Sequence, residues 1–393
     1  MTEHSNRERA VLLQHVGSDL HVHESVYGPL RIPTAPVLKE ELRQSGLTGR
    51  GGGGFPVWRK LQTVLDQPRR PEIIANASEG EPWSHKDRTL MRLAPHLILD
   101  GLSVLRTILK AKKLTLVAAA RDVGTLRDAL SARSGQPDVR ILPSAGRYVG
   151  GEASAVAALV AGHPALPSDR TAPLAVNGNS GTPIFLSNVE TIAEIALVAR
   201  FGGAWFRSLG HDRAGGIRLV SVTGDVRHPE VREARSGVSL RELISHAEPS
   251  LPAAAILGGL GGSWVRAAHW DTPYTDAALA NIGARPGTGI IHVVSAVHCP
   301  LRMTSRLLHR LAEESARQCG PCLYGLPALA ASFDTLIQVG TSRAEERVNE
   351  LAQNTTGRGI CHHPDSAAAL AHSALEIWRD HLQEHRRGRC DLR

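Results

Sequence analysis

A glycine-rich segment near the start of the chain constrains the local structure more than any other feature. Five of the six residues from Gly49 to Gly54 are glycine, and Phe55 and Pro56 follow directly. Glycine has no Cβ atom, so its backbone can pass close to an anion and point several N–H groups at it. A helix predicted after the loop adds the positive end of its dipole, with Lys60 about one turn in. The pattern favours a phosphate-binding loop over a flexible linker.

The surroundings of this loop differ from those of the usual dinucleotide-binding motif. The spacing satisfies G-x-G-x-x-G, but that motif normally follows a strand. Here Val37, Leu38 and Leu42 are apolar with charged residues between them, which predicts a helix before the loop. An acidic, carbonyl-rich segment, residues 76–82, then follows a short apolar run. Loop and acidic segment together predict a nucleotide or flavin site.

Composition limits the classes of protein to be considered. The chain has 393 residues, of which 42% are hydrophobic and 4% aromatic, and a net charge of +7. No apolar run is long enough to span a membrane, and the polar residues 1–9 do not resemble a signal peptide, so we expect a cytoplasmic protein. Few aromatic residues argue against nucleic-acid binding. The basic charge is suited to an acidic protein partner and predicts salt-sensitive association.

Alternation of predicted elements divides the chain into three domains and a tail. Residues 1–215 alternate helices with short apolar strands, which predicts an α/β domain of Rossmann-like type. Residues 216–290 give the order strand, helix, strand of a small ubiquitin-like β-grasp module. Residues 291–385 predict a four-helix bundle, with helices over 304–318, 326–338, 343–355 and 366–383. A basic tail, residues 386–393, ends the chain.

The cysteines point to metal, cluster or redox chemistry. Their number is odd, which in a cytosolic chain argues against a disulfide framework; they are Cys299, Cys319, Cys322, Cys361 and Cys390. The tetrapeptide 319–322 also occurs in thioredoxin-like dithiols, but there it follows a strand, whereas a helical run precedes it here. Zinc is another candidate, because Cys319, Cys322 and Cys361 with His362 or His363 would form a Cys₃His set.

Five motifs between residues 37 and 375 resemble, in order, those of one family. These are residues 49–56 with Lys60, residues 76–82 with 86–88, residues 148–152, residues 187–191, and residues 314–322 with Cys361. The chain resembles the NADH-binding flavoprotein of respiratory complex I, its F subunit, and the relatives of that protein in soluble hydrogenases and formate dehydrogenases. The resemblance implies FMN and NAD(P)H bound by the first domain, an SLBB-type second domain and an iron–sulfur cluster in the helical domain.

The resemblance also implies roles for individual residues. The implied cofactor-binding residues are Gly49, Arg50, Gly51, Gly52, Gly53, Gly54, Phe55, Lys60, Asn76, Glu79, Glu81, Tyr148, Gly151, Glu152, Ser187 and Asn188. Lys60 would place positive charge beside the reduced flavin, and Glu81 would lie near the nicotinamide, so both are expected to be catalytic. Phe55 would stack on the adenine. Simpler structural alternatives remain: Asn76 could cap a turn, and Asn188 could cap the following helix with Glu190 in its first turn.

The cluster would be held by Cys319, Cys322 and Cys361. The family's further cysteine is replaced by Ala316, which leaves a three-iron cluster, a four-iron cluster with a different fourth ligand, or no cluster. The candidates for that ligand are Ser315, His362, His363 and Cys299.

Three other departures affect the nucleotide site. Ser78 stands where the family has an acid, Ala153 where it has a glutamate, and Arg170 where it often has lysine. The loss of the carboxylate at Ala153 predicts a weaker preference for NADH over NADPH. Together, the departures indicate a divergent stand-alone paralogue.

The predicted function is transfer of electrons from NAD(P)H through FMN and an iron–sulfur cluster to a protein acceptor. The implied acceptor is a ferredoxin or a thioredoxin-like two-iron subunit, with an indirect association with the membrane through such partners. Two alternatives are a non-catalytic scaffold paralogue and ferredoxin-dependent reduction of NAD(P)⁺. Both directions of electron flow are compatible with the sequence.

Overall fold

The computed structural model describes residues 10–14, 17–133, 138–169, 172–211, 215–390 and 392. Residues 1–9 and Arg170, which entered the sequence analysis, lie outside this set, as do two residues of the basic tail, 391 and 393. The described part contains two β-sheets, one in each of two successive α/β regions, followed by a helical region. The structure therefore confirms a mixed α/β fold with a parallel sheet and a C-terminal helical region.

The first sheet is parallel throughout. Its strands, in the spatial order β3-β2-β1-β4, are β1 (Glu72–Ala77), β2 (Lys113–Ala118), β3 (Val139–Pro143) and β4 (Ile184–Asn188). β1, β2 and β4 are mostly buried, as expected for parallel strands with helices around them. The chain moves outward from β1 to β2 and β3, and then returns to the other side of β1. The carboxyl ends of β1 and β4 therefore flank the crevice where α/β sheets usually bind ligands.

Nine helices among the described residues accompany this sheet. They are α1 (Leu20–Tyr27), α2 (Ala35–Ser45), α3 (Val57–Leu65), α4 (Lys86–Leu93), α5 (Pro95–Leu109), α6 (Val123–Ser131), α7 (Ala153–Val160), α8 (Val189–Phe201) and α9 (Gly203–Ser208). α2 confirms the helix predicted before the glycine loop, and α3 follows the loop. α5 and α8 are buried and very close together, since a Cβ atom at Gly101 would lie 2.0 Å from the Ile192 carbonyl oxygen.

The second sheet is mixed and has five strands in the described part of the chain. They are β5 (Ile217–Gly224), β6 (Glu230–Arg235), β7 (Pro252–Leu257), β8 (Ser263–Arg266) and β9 (Ile290–Ser295), with the helices α10 (Leu240–Ser245) and α11 (Asp276–Ala280). The order is β6-β5-β9-β7-β8, and β9 pairs parallel to β5 and antiparallel to β7. β9 is thus the central strand of this sheet, although the predicted border at 290/291 assigns it to the next domain. The ubiquitin-like, SLBB-type interpretation and the division into domains remain predictions, as does the Rossmann-like label of the first sheet.

The C-terminal region is helical. Its described residues include α12 (Pro300–Glu313), α13 (Leu326–Val339), α14 (Ser342–Thr355), α15 (His363–Ile377) and α16 (Arg379–Arg386). Leu308, Leu329, Phe333 and Leu370 contribute to their shared core. The predicted first helix ends at Glu313 instead of continuing to residue 318, and the predicted last helix is divided at Trp378. The early end of the first helix leaves Cys319 on irregular backbone after α12, and Cys361 lies on irregular backbone just before α15.

One helical stretch among the described residues, Pro321–Val339, is long and apolar enough to cross a membrane by length and composition. Its side chains Leu329, Phe333 and Leu336 are fully buried in the helical core. A core helix passes the same test, so this stretch is weak support for a membrane span. Cytoplasmic localisation remains a prediction.

Candidate functional site

The glycine loop is closed at its base and open at its tip. The Gly49 N–H donates to the Phe55 carbonyl at 2.9 Å, and the Val57 N–H donates to the Leu47 carbonyl at 3.0 Å. Gly52 has a φ of +100°, which side chains rarely permit. Cβ atoms at Gly53 or Gly54 would meet nothing within 4 Å. The tip therefore leaves room for a group that approaches the backbone.

Arg50 anchors the loop from inside the protein. Its Nε atom lies 2.8 Å from the Glu194 carboxylate, and its guanidinium donates to the Ile217 carbonyl oxygen at 2.7 Å. Its backbone N–H donates to the Thr191 hydroxyl at 2.9 Å. The side chain is buried, so its donors are used to join the loop to α8 and β5. These contacts fix the position of the loop, and the direct role of Arg50 in cofactor binding remains a prediction.

A cavity of about 460 Å³ opens beside the loop. Its walls combine glycines of the loop with residues of the second sheet region, including Arg218, Tyr274 and Arg285. Sequence reasoning missed these two cations, because nothing in the local sequence indicates that residues 218 and 285 face residues 49–54. Asp276 also lines this cavity, and its carboxylate lies 3.4 Å from the Arg218 guanidinium. An anionic ligand at the loop would therefore meet Arg285 and backbone N–H groups beside an already paired Arg218.

The crevice between β1 and β4 is held by a network of buried polar groups. The Asn188 amide donates to Asp87 at 2.6 Å and to the Asn76 carbonyl at 3.2 Å, while its oxygen accepts from the Glu190 N–H at 3.0 Å and from Lys86 at 3.0 Å. The Lys86 ammonium also lies 2.8 Å from Glu190. Asn188 therefore caps α8 and fixes neighbouring groups, as the simpler structural alternative requires. Its carbonyl and amide are already partnered within the protein.

Two further predicted residues also make internal bonds. The Asn76 amide donates to the Gly151 carbonyl at 2.9 Å. Glu79 accepts from the N–H groups of Asp87 at 2.9 Å and Arg88 at 3.1 Å, so its carboxylate caps the start of α4. Glu79 has a φ of +42°, an uncommon backbone conformation for a side-chain-bearing residue. These two residues shape the loop after β1, and the Asn76 bond brings Gly151 to the same end of the sheet.

Glu152, Ser187 and Ser78 lie in the segment after β3, at the end of β4 and directly after β1, respectively. Glu152 accepts from the N–H groups of Ser154 at 2.8 Å and Ala155 at 3.2 Å, which makes it the cap of α7. Ser187 is buried in β4. Ser78, at the position where the family has an acid, has a buried hydroxyl without a protein partner among the described residues. This unpartnered oxygen marks a place where a ligand could supply a hydrogen bond.

Lys60 brings a positive charge to the carboxyl end of β4. Its ammonium donates to the Leu186 carbonyl at 2.9 Å, directly before Ser187. Burial lowers the pKa of this lysine to about 8. The charge is therefore present at neutral pH and is lost at mildly alkaline pH. Phe55, in the glycine loop, is half exposed and can stack on a planar group.

Glu81 lies where the first domain meets the second sheet region and the helical region. It accepts from the Leu260 N–H at 3.1 Å and from the Tyr148 hydroxyl. Burial raises its pKa to about 7. Gly259 makes this packing achievable, because a Cβ atom there would lie 2.4 Å from the Glu81 carboxylate. The side chain is thus a carboxyl group whose protonation changes near neutral pH.

An aromatic pair links the same loop to the second sheet and was missed by sequence reasoning. Trp83 stacks on His292 of β9, with ring centroids 3.7 Å apart and an interplanar angle of 8°. Burial lowers the pKa of His292 to about 4, so the ring is neutral at pH 7. Trp83, two positions after Glu81, was the sequence signal that could have indicated an aromatic contact here. Its partner is 209 positions away and could not be identified without the fold.

The structure brings the three predicted cluster cysteines together. The thiols of Cys319 and Cys322 share a hydrogen bond, and Cys361 interacts electrostatically with both. Burial raises the pKa of Cys319, but N–H groups of Ile360 and Cys322 hydrogen-bond its sulfur and lower the pKa overall. Cys322 lies in a π-helical turn at Pro321–Gly325, an irregularity common at functional sites.

The four candidates for a further cluster ligand are separated by the fold. Cys299 caps the beginning of α12, whereas the three cysteines follow its end, about 20 Å away along a 14-residue helix. His362 is 99% exposed and lies 3.0 Å from Asp365. The Ser315 hydroxyl and the His363 Nδ1 are both buried without a partner in the described part of the chain. Cys299 is thus excluded, and Ser315 and His363 keep free lone pairs in the segments that carry the cysteines.

Two family models match separate regions of the chain. A family model described as the Nuo51 FMN-binding domain matches residues 42–197, and one described as the NADH-ubiquinone oxidoreductase-F iron–sulfur binding region matches residues 302–385. In these two regions the chain is similar to the F subunits of NADH-quinone oxidoreductases, as the sequence motifs predicted. The predictions of FMN and an iron–sulfur cluster as cofactors are confirmed at the level of these two domains.

Individual relatives share most of the chain's length. An NADH-quinone oxidoreductase F subunit of Rhizobium meliloti is 29% identical, with 90% of each chain covered. The F subunit of Escherichia coli is 25% identical over 88% of this chain and 83% of its own. A chain of an NAD⁺-reducing [NiFe]-hydrogenase superposes with a TM-score of 0.81 at 28% identity, covering 90% of this chain and 63% of that one. The chain thus spans less than two thirds of the hydrogenase chain that it matches.

Proposed function

We propose that this protein oxidises NAD(P)H and delivers electrons through FMN and an iron–sulfur cluster to a protein acceptor. The observation that carries the proposal is a continuous contact between the two candidate sites. Tyr148 donates to Glu81 on one side and lies edge-on to His363, with ring centroids 5.3 Å apart, on the other. The His363 backbone N–H hydrogen-bonds the Cys361 sulfur. A chain of contacts through Tyr148 and His363 thereby joins Glu81 to Cys361.

The residues present fit FMN. The open backbone at Gly53 and Gly54 suits a phosphate, and the unpartnered Ser78 hydroxyl suits a polar atom of the ligand. FMN, when bound, supplies the means to take two electrons from a nicotinamide and release them one at a time. The Lys60 ammonium would stabilise negative charge on the reduced ring. Four other side chains are already hydrogen-bonded within the protein and therefore act by positioning the backbone. They are Asn76, Glu79, Glu152 and Asn188.

The cysteine group fits an iron–sulfur cluster, and we propose His363 as its fourth protein ligand. The His363 Nε2 lies 2.7 Å from the Leu311 carbonyl, which can only accept, so this nitrogen carries the proton. Nδ1 is then the nitrogen with the lone pair, and it is buried without a partner among the described residues. Histidines that bind metals are commonly oriented by such a carbonyl. Ser315 remains the competing ligand.

The acceptor is proposed to be a ferredoxin or a thioredoxin-like two-iron subunit. The matched relatives are named as subunits or parts of larger oxidoreductases, which supports a protein partner. The net charge of +7 suits an acidic carrier. The proposal of a stand-alone paralogue is tested by the mass of the native protein. Stable co-purification with other components of complex I would contradict it.

The experiment that tests the function is anaerobic purification, an absorption spectrum, and titration with NADH and then NADPH. We expect a flavin band and a broad cluster absorbance, both bleached by nucleotide. A protein that binds no FMN after attempted reconstitution would favour the scaffold alternative. Bound flavin that is reduced by ferredoxin but by neither nucleotide would favour reduction of NAD(P)⁺.

A further inference from the structure

A second group of metal-ligand side chains lies at the other end of α12. Cys299, His381, His385 and Cys390 each offer one ligand atom, and these four atoms all lie within 4.8 Å of one another. They come from three places in the sequence: the cap of α12, one face of α16, and the residues after α16. His381 and His385 are four positions apart, so helical geometry places both rings on one side. None of the five motifs that carry the family resemblance includes any of these residues.

Three sulfur–nitrogen distances in this group are close to those of a tetrahedral site. The Cys299 sulfur lies 3.3 Å from the His381 Nε2 and 3.2 Å from the His385 Nε2, and the Cys390 sulfur lies 3.5 Å from the His381 Nε2. Zinc–sulfur and zinc–nitrogen bonds of about 2.3 and 2.0 Å place sulfur and nitrogen about 3.5 Å apart in a tetrahedron. The group is therefore close to the required arrangement without rearrangement of the backbone.

The surrounding hydrogen bonds favour a metal over a simple thiol–imidazole contact. The His385 Nδ1 lies 3.2 Å from the Ile337 carbonyl, which fixes the proton there and leaves Nε2 as the lone-pair nitrogen. Cys299 faces both Nε2 atoms, and the Cys390 sulfur faces that of His381, so two thiols and two imidazole nitrogens converge on one point. The Cys299 sulfur also accepts from the Arg302 N–H at 3.4 Å, a hydrogen bond that a metal-bound sulfur can keep. A cation at the centre would satisfy all four ligand atoms.

We propose that Cys299, His381, His385 and Cys390 bind a structural Zn²⁺ ion. Two thiolates and two neutral imidazoles are a common zinc ligand set, and four protein ligands leave no position open for catalysis. Two thiolates also neutralise the charge of the ion. The bound ion joins the beginning of α12 to α16 and the end of the chain, where the Arg302 guanidinium already donates to the Leu392 carbonyl at 3.3 Å. This role is independent of the proposed electron transfer.

The test is the zinc and iron content of the full-length protein, purified without chelators and measured by mass spectrometry of the elements. We expect about one zinc ion per chain. Cys390→Ser and His385→Gln should lose most of the zinc and keep the flavin, and His372→Gln, a histidine on α15 outside the group, should keep both. Cys361→Ser should lose iron and keep zinc. Cobalt added to the zinc-free protein should give the absorption of a tetrahedral thiolate complex.

Three results would overturn the proposal. The first is wild-type protein that contains no zinc and, after reduction of its thiols, takes up neither zinc nor cobalt stoichiometrically. The second is zinc retained in both Cys390→Ser and His385→Gln. The third is a Cys299–Cys390 disulfide in freshly purified protein. Flavin content and the melting temperature of each variant identify loss of folding, and the cobalt spectrum of the wild type tests the site without any substitution.

Discussion

The two ends of α12 carry two cysteine groups that differ in how they are encoded. Cys319, Cys322 and Cys361 follow the end of the helix, and two of them form a short sequence motif. Cys299 begins the helix, and its neighbours His381, His385 and Cys390 lie more than 80 positions away. The first group touches the nucleotide end of the protein through His363 and Tyr148. The comparison shows that one short helix can separate a proposed redox site from a proposed structural site.

The largest expected effect distinguishes the two ends directly. Cys361→Ser should lower electron delivery to a protein acceptor by about 100-fold, because the cluster loses a ligand. Reduction of the flavin by nucleotide should continue. Cys390→Ser is the matched control and should leave both rates within about twofold, since its site lies outside the electron path. Stopped-flow kinetics with a ferredoxin acceptor measures both, and equal losses in the two variants would remove the distinction.

Glu81, which accepts a hydrogen bond from Tyr148, predicts a pH dependence of the free energy of unfolding. The pKa of Glu81 is raised by burial from 4.5 to about 7, so between these values the native state binds more protons than the unfolded state. Its contribution to the free energy of unfolding is full below pH 4.5 and is lost as the pH rises through 7. Between pH 5 and 8, the free energy of unfolding should therefore fall by about 2 kcal/mol less in Glu81→Gln than in the wild type. Urea unfolding at pH 5 and 8 measures it, and an unchanged difference would argue against a buried, protonated Glu81.

Nucleotide choice should be independent of both ends of α12. Ala153 begins α7 and stands where the family has a glutamate. Ala153→Glu should raise the ratio of kcat/KM for NADH over NADPH by about tenfold, because a carboxylate there accepts from a ribose hydroxyl and repels a 2′-phosphate. Ala153→Gln is the control for size without charge. The inference fails if the glutamine and glutamate variants give the same ratio.

The smallest expected effect concerns the composition of the cluster. His363→Ala should lower the iron content by about a quarter and convert a four-iron into a three-iron cluster, while Ser315→Ala leaves it unchanged. Adding Ala316→Cys to His363→Ala should restore the four-iron form. Iron analysis and electron paramagnetic resonance record the change. The reverse pattern would assign the fourth ligand to Ser315.

Much of the fold could be predicted from local sequence patterns. The helices α2, α13 and α14 agree closely with expectation, since apolar periodicity reports local conformation. The domain border at 290/291 did not anticipate that β9 is the centre of the second sheet. Strand pairing between distant segments depends on contacts that no local pattern records. The predicted last helix likewise passed through Trp378, where the chain divides α15 from α16.

The sequence by itself determined the resemblance to F-type flavoproteins, the two cofactor-binding regions and the position of the glycine loop, because short motifs specify these. The tertiary structure decided what each side chain contacts. It directs Arg50 inward to Glu194, makes caps of Asn188 and Glu152, and sets Arg218 and Arg285 beside the loop. It also separates Cys299 from the cluster cysteines and places its sulfur within 4.8 Å of the Cys390 sulfur. The physical reason is that hydrogen bonds and metal ligands require close approach of atoms, and folding alone brings residues from distant parts of the chain together.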